Sequence, residues 1–361
     1  MLVAGKERDL LDRALARLVE LLPARIQITE ERSDADRGTD ALWRITETSD
    51  ESAELLVLAK QSFSPRDVDR IPLPGTVRRA LGEPTLLAVA PWFSPRTRAL
   101  LEERGYSYLD MAGNVLLTVD RPVIFIRIQG ADRNPEPSPR PPARVRGAKA
   151  RRLVRILVDV RPPYRLTDLA RASEVNVGYL SRMLEALDDQ ALIERGRRGL
   201  VEDVDWPALL SVASDDYQLM RANSASSYVA AEGASDLYRR VAGRNTSDVV
   251  VTGSFAATAI APIAAPAQLV LYTNDPAGMR QFGRLLPAER GADVVLLRPE
   301  DPTQLTWPRL VDGVPHVRLS QLALDLLGGG GRLPEEARSV IAWMRANEGE
   351  WRRPTLTEGL Q

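Results

Sequence analysis

Apolar and polar residues alternate over much of Ala41 to Thr48, the period of a half-buried strand, and Ala53 to Lys60 holds a short continuous apolar run, Leu55 to Ala59, as a buried strand does. The Ser-Asp-Glu-Ser stretch beside them is turn chemistry, so the two runs predict a strand pair. Further strands are predicted at Thr85 to Ala90, Tyr106 to Leu109, Val115 to Val119 and Val123 to Ile128, with a helix starting at Pro95. Phe63-Ser64-Pro65-Arg66 recurs as Phe93-Ser94-Pro95-Arg96. In each copy the serine can cap a helix that begins on proline, where the missing N–H costs nothing. The echo is too short to establish a repeat. Asp132 to Pro142 has neither apolar periodicity nor a ladder of backbone donors, so it reads as an extended linker.

Beyond the linker the period becomes helical. Leu153, Ile156, Leu157 and Val160 form one stripe, Leu166, Leu169 and Ala170 a second, and Val177, Leu180, Leu184 and Leu187 a third. Three helices can bury these stripes in one core. The turn Ala172-Ser173-Glu174-Val175 puts Val175 inward, and Asn176 can cap the third helix. Gly178, Tyr179, Ser181 and Arg182 then occupy the outer face of its N-terminal part. After Trp206 the pattern predicts a helical stretch to about Arg240, strands at Val249, at Ala267 to Thr273 and at Ala292 to Arg298, and a closing helix around Pro334 to Asn347. Gly328 to Gly331 is a loop without phosphate-binding spacing.

Composition removes much chemistry. The chain has no cysteine and one histidine, His316, which excludes disulfides, thiolate metal sites and multi-histidine centres. A lone histidine is by default structural. Apolar content of 44% and charged content of 27% suit a globular protein of two or three domains at 361 residues, and no apolar run is long enough to span a bilayer. The N-terminal segment reads as an amphipathic helix rather than a signal peptide, so a cytoplasmic location is expected. A net charge of -1 carries no global signal for nucleic acid. The local signal is Arg140 to Arg155, where Arg140, Arg144, Arg146, Lys149, Arg151, Arg152 and Arg155 stand without an acidic residue.

The segment Leu166 to Val201 resembles the winged helix-turn-helix of bacterial transcription regulators. The resemblance implies wing strands around Gly196 to Gly199 and DNA contact by the third helix. Arg104 to Leu117, RGYSYLDMAGNVLL, resembles a motif of the AbiEi-type antitoxin group of regulators, which implies a restriction-endonuclease-like fold over roughly Leu42 to Ile128. A working nuclease of that fold needs (D/E)xK, but Leu58-Ala59-Lys60 has leucine in place of the metal-binding acid. Asp110 either holds an ion or caps the turn at Gly113-Asn114. Val251-Thr252-Gly253-Ser254-Phe255 resembles the opening of nucleotidyltransferase-like domains, which also occur in that group. The active enzymes carry two carboxylates on the next strand, whereas Pro266 to Tyr272 has none and Asp275 comes only after Thr273-Asn274. Gln321 and Asp325 lie one turn apart and read as an exposed pair.

The expected fold class is therefore multi-domain α/β plus a winged helix. Residues 1–130 form a degenerate nuclease-like α/β domain, 131–147 a linker rich in proline and arginine, 148–206 the winged helix-turn-helix, and 207–361 a degenerate nucleotidyltransferase-like domain. The expected function is that of a non-enzymatic transcriptional regulator, repressor or antitoxin-like, without metal or cofactor, that binds double-stranded DNA. Asn176, Tyr179, Ser181 and Arg182 face the groove, and Arg151, Arg152, Arg195, Arg197 and Arg198 face phosphates. A homodimer and a nucleotide or nucleic-acid effector are further partners consistent with this reading. The alternatives are a metal-dependent nuclease or nucleotidyltransferase targeted by the winged helix, and a protein-interaction scaffold.

Overall fold

The computed structural model describes residues 2–31, 40–47, 51–71, 82, 84–132, 134–135, 145–196, 199–243, 248–261 and 265–356, with side chains from residue 6. The chain is a mixed α/β protein that divides into two compact units, residues 1–141 with 189–191, and residues 142–188 with 192–361.

The first unit runs α1 (Leu2–Leu21), β1 (Ile26–Glu31), β2 (Ala41–Glu47), β3 (Ser52–Ala59), α2 (Pro65–Asp69), β4 (Thr85–Ala90), α3 (Pro95–Glu103), β5 (Ser107–Asp110), β6 (Val115–Val119) and β7 (Ile124–Ile128). The strands form one seven-stranded sheet in sequence order. β3, β4 and β5 are parallel neighbours and the outer pairs are antiparallel. Side chains alternate across this sheet as the pleat requires. Leu87 and Val89 of β4 join Trp43, Ile45, Leu55 and Val57 under Leu10, Ala14 and Leu18 of α1. Leu86, Ala88 and Ala90 face the other way, into a core with Phe63, Val68, Phe93, Leu101 and Tyr106. Both Phe-Ser-Pro-Arg copies start helices on that face. Ser94 Oγ accepts the N–H of Thr97 at 3.0 Å, Ser64 forms a capping box with Asp67, and the rings of Phe63 and Phe93 meet edge to face at 5.4 Å. β1 was not apparent from the hydrophobic pattern.

The second unit begins with α4 (Gly147–Asp159), α5 (Leu166–Ser173), α6 (Val177–Asp189), β8 (Ile193–Arg195), β9 (Val201–Val204) and α7 (Trp206–Ser214). It continues with α8 (Leu219–Ala222), β10 (Ser224–Ala230), α9 (Ala234–Arg240), β11 (Val249–Thr252), α10 (Gly253–Thr258), β12 (Leu269–Thr273), α11 (Pro276–Phe282), β13 (Leu285–Pro287) and β14 (Val294–Arg298). It closes with β15 (Arg309–Val311), β16 (Val314–His316), α12 (Leu319–Leu327), α13 (Leu333–Ala346) and α14 (Glu348–Trp351). Its large sheet has the order β13-β10-β14-β12-β11-β16-β15, with β12 parallel to β14 and β11 parallel to β16.

Two features differ from expectation. The stretch expected to be helical to Arg240 contains β10, which pairs with both β13 and β14. There is also no seam at residue 206. Trp206, Leu209, Leu210 and Ala213 of α7 are buried, α7 packs on both α4 and α12, and one continuous core runs from Val145 to Met344. Among the described residues, no helix is long and apolar enough to cross a membrane.

Candidate nucleic-acid interface

The α4–α6 bundle is built on the stripes read from sequence. Leu153, Ile156, Leu157, Val160, Leu169, Leu180, Leu184 and Leu187 are all buried. α5 ends on Glu174 in the left-handed region (φ 53°), which turns the chain sharply and lets Val175 plug the core at 8% exposure. The N–H of Tyr179 then donates to Asn176 Oδ1 at 2.8 Å, so Asn176 caps α6. β8 and β9 pair as a hairpin, and Tyr164 adds an isolated antiparallel bridge to Val201. A Cβ at Gly196 would lie 1.7 Å from the Glu202 carboxylate, the end of an exposed and flexible side chain that can move aside.

At about 100° per residue, Val177, Gly178, Ser181, Arg182 and Glu185 share one face of α6. Asn176, Val177, Gly178 and Arg182 are exposed and Ser181 is half-buried. Tyr179 sits at the edge of this face, half-buried against the core, and burial pushes its phenol pKa up. Val177 departs from the expected core stripe. It is 49% exposed, because the core-facing direction of the first turn is already filled by Leu180. The first two turns carry no acid, and Glu185 and Asp189 follow in the C-terminal half.

The expected phosphate contacts on α4 do not stand. Arg151 is buried, ion-paired to Glu300 and stacked over Tyr217 at 5.0 Å. Arg152 Nη2 lies 2.9 Å from Asp301 Oδ2, and its Nη1 pairs with Glu174. Arg155 is 2% exposed, donates to Thr303 Oγ1 at 2.6 Å and lies 3.7 Å from Asp301. Burial lowers its pKa to about 10, with Arg318 adding to the shift and Asp301 opposing it, so it stays charged near neutrality. Arg146 pairs with Asp216 at 2.9 Å. Arg146, Arg151, Arg152 and Arg155 of the basic run therefore face acids of the C-terminal segment, and a guanidinium neutralised in this way is not free for a phosphate.

Other cations of the bundle stand exposed. Arg165 and Arg171, which flank and belong to α5, together with Lys149 and Arg182, are exposed and have no ion pair among the described residues. Arg195 on the hairpin is half-buried, and its Nε has no hydrogen-bond partner. Arg197 and Arg198 lie outside the described residues, as do Arg140 and Arg144.

The polar groups of the flanking folds are structural. Asp110 is 1% exposed and accepts from the N–H groups of Phe93 (3.0 Å) and Asn114 (2.9 Å) and from Asn114 Nδ2 (2.9 Å), which makes it the turn cap. Lys60 Nζ pairs with Asp67 at 2.8 Å. Gly253 opens α10 at φ 66°, and Ser254 Oγ donates to Glu336 at 3.1 Å. β12 is wholly buried, and its Tyr272 hydroxyl donates to Asp325 at 2.9 Å. Gln321 and Asp325 are not an exposed pair. Both are buried, and Asp325 also accepts from Tyr217 (2.7 Å), Thr252 (2.6 Å) and Gln321 (2.7 Å). Burial raises its pKa to about 6 against the pull of these four donors. Asp275 caps α11 through the N–H of Gly278 at 2.9 Å. His316 is a core histidine bonded to the Tyr238 hydroxyl at 3.0 Å, its pKa lowered to about 4 by burial and then by Arg309. Among the described residues no group of three or more His, Cys, Asp or Glu side chains could hold a metal ion.

No protein-family model, curated protein or solved structure matches the chain.

Proposed function

We propose that the chain is a sequence-specific DNA-binding regulator, repressor or antitoxin-like, that reads base edges with Asn176, Tyr179, Ser181 and Arg182 of a winged helix-turn-helix made by α4–α6 and the β8–β9 hairpin. The observation that carries this reading is the exposed, acid-free N-terminal half of α6, whose Arg182 guanidinium has no ion-pair partner among the described residues. Such a helix end combines free backbone donors, a favourable dipole and a group able to make a bidentate contact with guanine. Arg165 and Arg171 take the phosphate-contact role first expected of Arg151 and Arg152, with Arg195, Arg197 and Arg198 on the wing.

The first unit is read as a degenerate nuclease-like domain and the β10–β16 region as a degenerate nucleotidyltransferase-like one. Their use is regulatory rather than catalytic, supported by Leu58 where a metal-binding acid belongs and by the acid-free β12 strand. A homodimer would pair two half-sites and supply the specificity that one short helix lacks.

The test is duplex selection from genomic fragments, followed by titration of the selected and a random duplex. Arg182→Ala and Tyr179→Ala are expected to weaken the selected duplex by about 1–3 kcal/mol more than the random one. Equal losses on both duplexes would refute the groove assignment.

A further inference from the structure

A cavity of about 410 Å³ lies in the second unit, its wall includes Trp307, Trp343, Trp351, Arg309, Arg318 and Arg353, and neither α6 nor Gly253-Ser254 lines it. That volume falls within the roughly 300–1,000 Å³ of small-molecule sites. Three indoles and three guanidiniums around one hollow form an unusual wall. The aromatic rings offer flat apolar surface, and a guanidinium without an acid partner, as at Arg309, offers planar, bidentate donors for an oxyanion.

The charges on this wall do not cancel. Asp159, at the end of α4, is already held by Arg318 at 3.0 Å and by Ser320 Oγ at 2.7 Å, and Glu350 stands exposed at the rim. Arg309 has no ion pair among the described residues, and its buried Nη1 has no hydrogen-bond partner. Desolvation lowers its pKa, as an uncompensated charge requires. A half-buried, unpartnered guanidinium is costly and is relieved by an anion. Trp307 adds a second cost. Its φ of 54° is a left-handed conformation that disfavours a bulky side chain, yet its ring is held under the guanidiniums of Arg318 (4.8 Å) and Arg353 (4.6 Å).

The geometry points to a binding site for a planar aromatic anion, with Arg309 as the principal charge partner and the indoles as the apolar wall. The site is tied to α4 by a backbone strap. The N–H of Arg353 donates to the Asp159 carbonyl at 2.8 Å, that of Arg161 donates to the Arg353 carbonyl at 2.8 Å, and Arg352 donates from Nε to the Val158 carbonyl at 2.9 Å and from Nη2 to the Val160 carbonyl at 2.8 Å. Arg352 thus satisfies the orphan carbonyls at the end of α4. Occupancy of the cavity competes for Arg318 and Arg353 and is transmitted to the end of α4. This coupling rests on the DNA-binding reading, whereas the binding site does not.

The test titrates the full chain, by calorimetry and by indole fluorescence, with naphthalene-2-carboxylate, indole-3-carboxylate, AMP and GMP. Naphthalene-2-carboxamide, acetate and inorganic phosphate serve as controls. Saturable one-to-one binding of a charged aromatic is expected, with the carboxylate and phosphate arms separating the two sources of anion. Arg309→Ala should weaken it by about tenfold to a hundredfold, and Arg309→Lys by less, with no lowering of the thermal transition of the unliganded chain. Absence of saturable binding by every charged aromatic would overturn the site, as would equal binding by the Arg309→Ala variant or by the neutral carboxamide. A chain that binds probe but no duplex would refute the DNA-binding reading and leave the site standing.

Discussion

Three arginines of α4 and three on or beside α5 and α6 are used in opposite ways. On α4, Arg151, Arg152 and Arg155 meet Glu300, Asp301 and Thr303, some 150 residues away in sequence. On and beside α5 and α6, Arg165, Arg171 and Arg182 meet no acid among the described residues. One set of guanidiniums holds the unit together and the other is left for a partner. The number of arginines in a run therefore says little about DNA binding until the acids that face them are known.

The largest expected effect comes from breaking the first set. Arg155→Ala removes the buried cation that lies 3.7 Å from Asp301, itself 3% exposed, and the donor to Thr303 Oγ1, and breaking such a buried pair costs about 3–5 kcal/mol. Arg182→Ala, on an exposed helix face, should stay within about 0.5 kcal/mol. Chemical denaturation of the two variants measures the contrast, and equal stabilities would erase it.

A buried acid without an arginine sharpens the same comparison. Asp325 has a folded pKa of about 6 against an ordinary 3.8, so the folded state binds the proton more tightly than the unfolded state. Its contribution is fully present below about pH 4 and is lost as pH rises through 6, on the order of 3 kcal/mol. Asp325→Asn should remove this component, because the amide oxygen still accepts from Tyr217 and Tyr272 while its nitrogen can donate to Thr252. Stability measured between pH 4 and 7 should fall less steeply in the variant than in the parent chain. Parallel pH profiles would contradict the assignment.

How far the fold was legible follows the same physics. Apart from β1, the strands of the first unit were legible because their apolar runs are local signals, as in β4, where Leu87 and Val89 fill one core and Leu86 and Ala88 the other. The Leu180, Leu184 and Leu187 stripe and the Asn176 cap are likewise local signals. β10 was hidden because Ser-Ala-Ser-Ser-Tyr-Val-Ala has no apolar alternation and is held by pairing on both sides, a tertiary decision. The arginine partners were hidden because an ion pair has no sequence period. Asp325 had a signal that could have been used, since a carboxylate among leucines on every side of a helix is more consistent with burial than with an exposed pair. The Trp307, Arg318 and Arg353 wall brings together residues from three segments, and no single segment carries its pattern.

The most direct test of the division is the salt dependence of duplex binding in two variants of the full chain. Combined Arg165→Ala, Arg171→Ala and Arg182→Ala substitution should reduce the slope of log affinity against log salt by roughly 0.9 for each phosphate that is no longer neutralised. Combined Arg151→Ala and Arg152→Ala substitution should lower stability and leave that slope unchanged. A slope that falls in the second variant and not in the first would contradict the account.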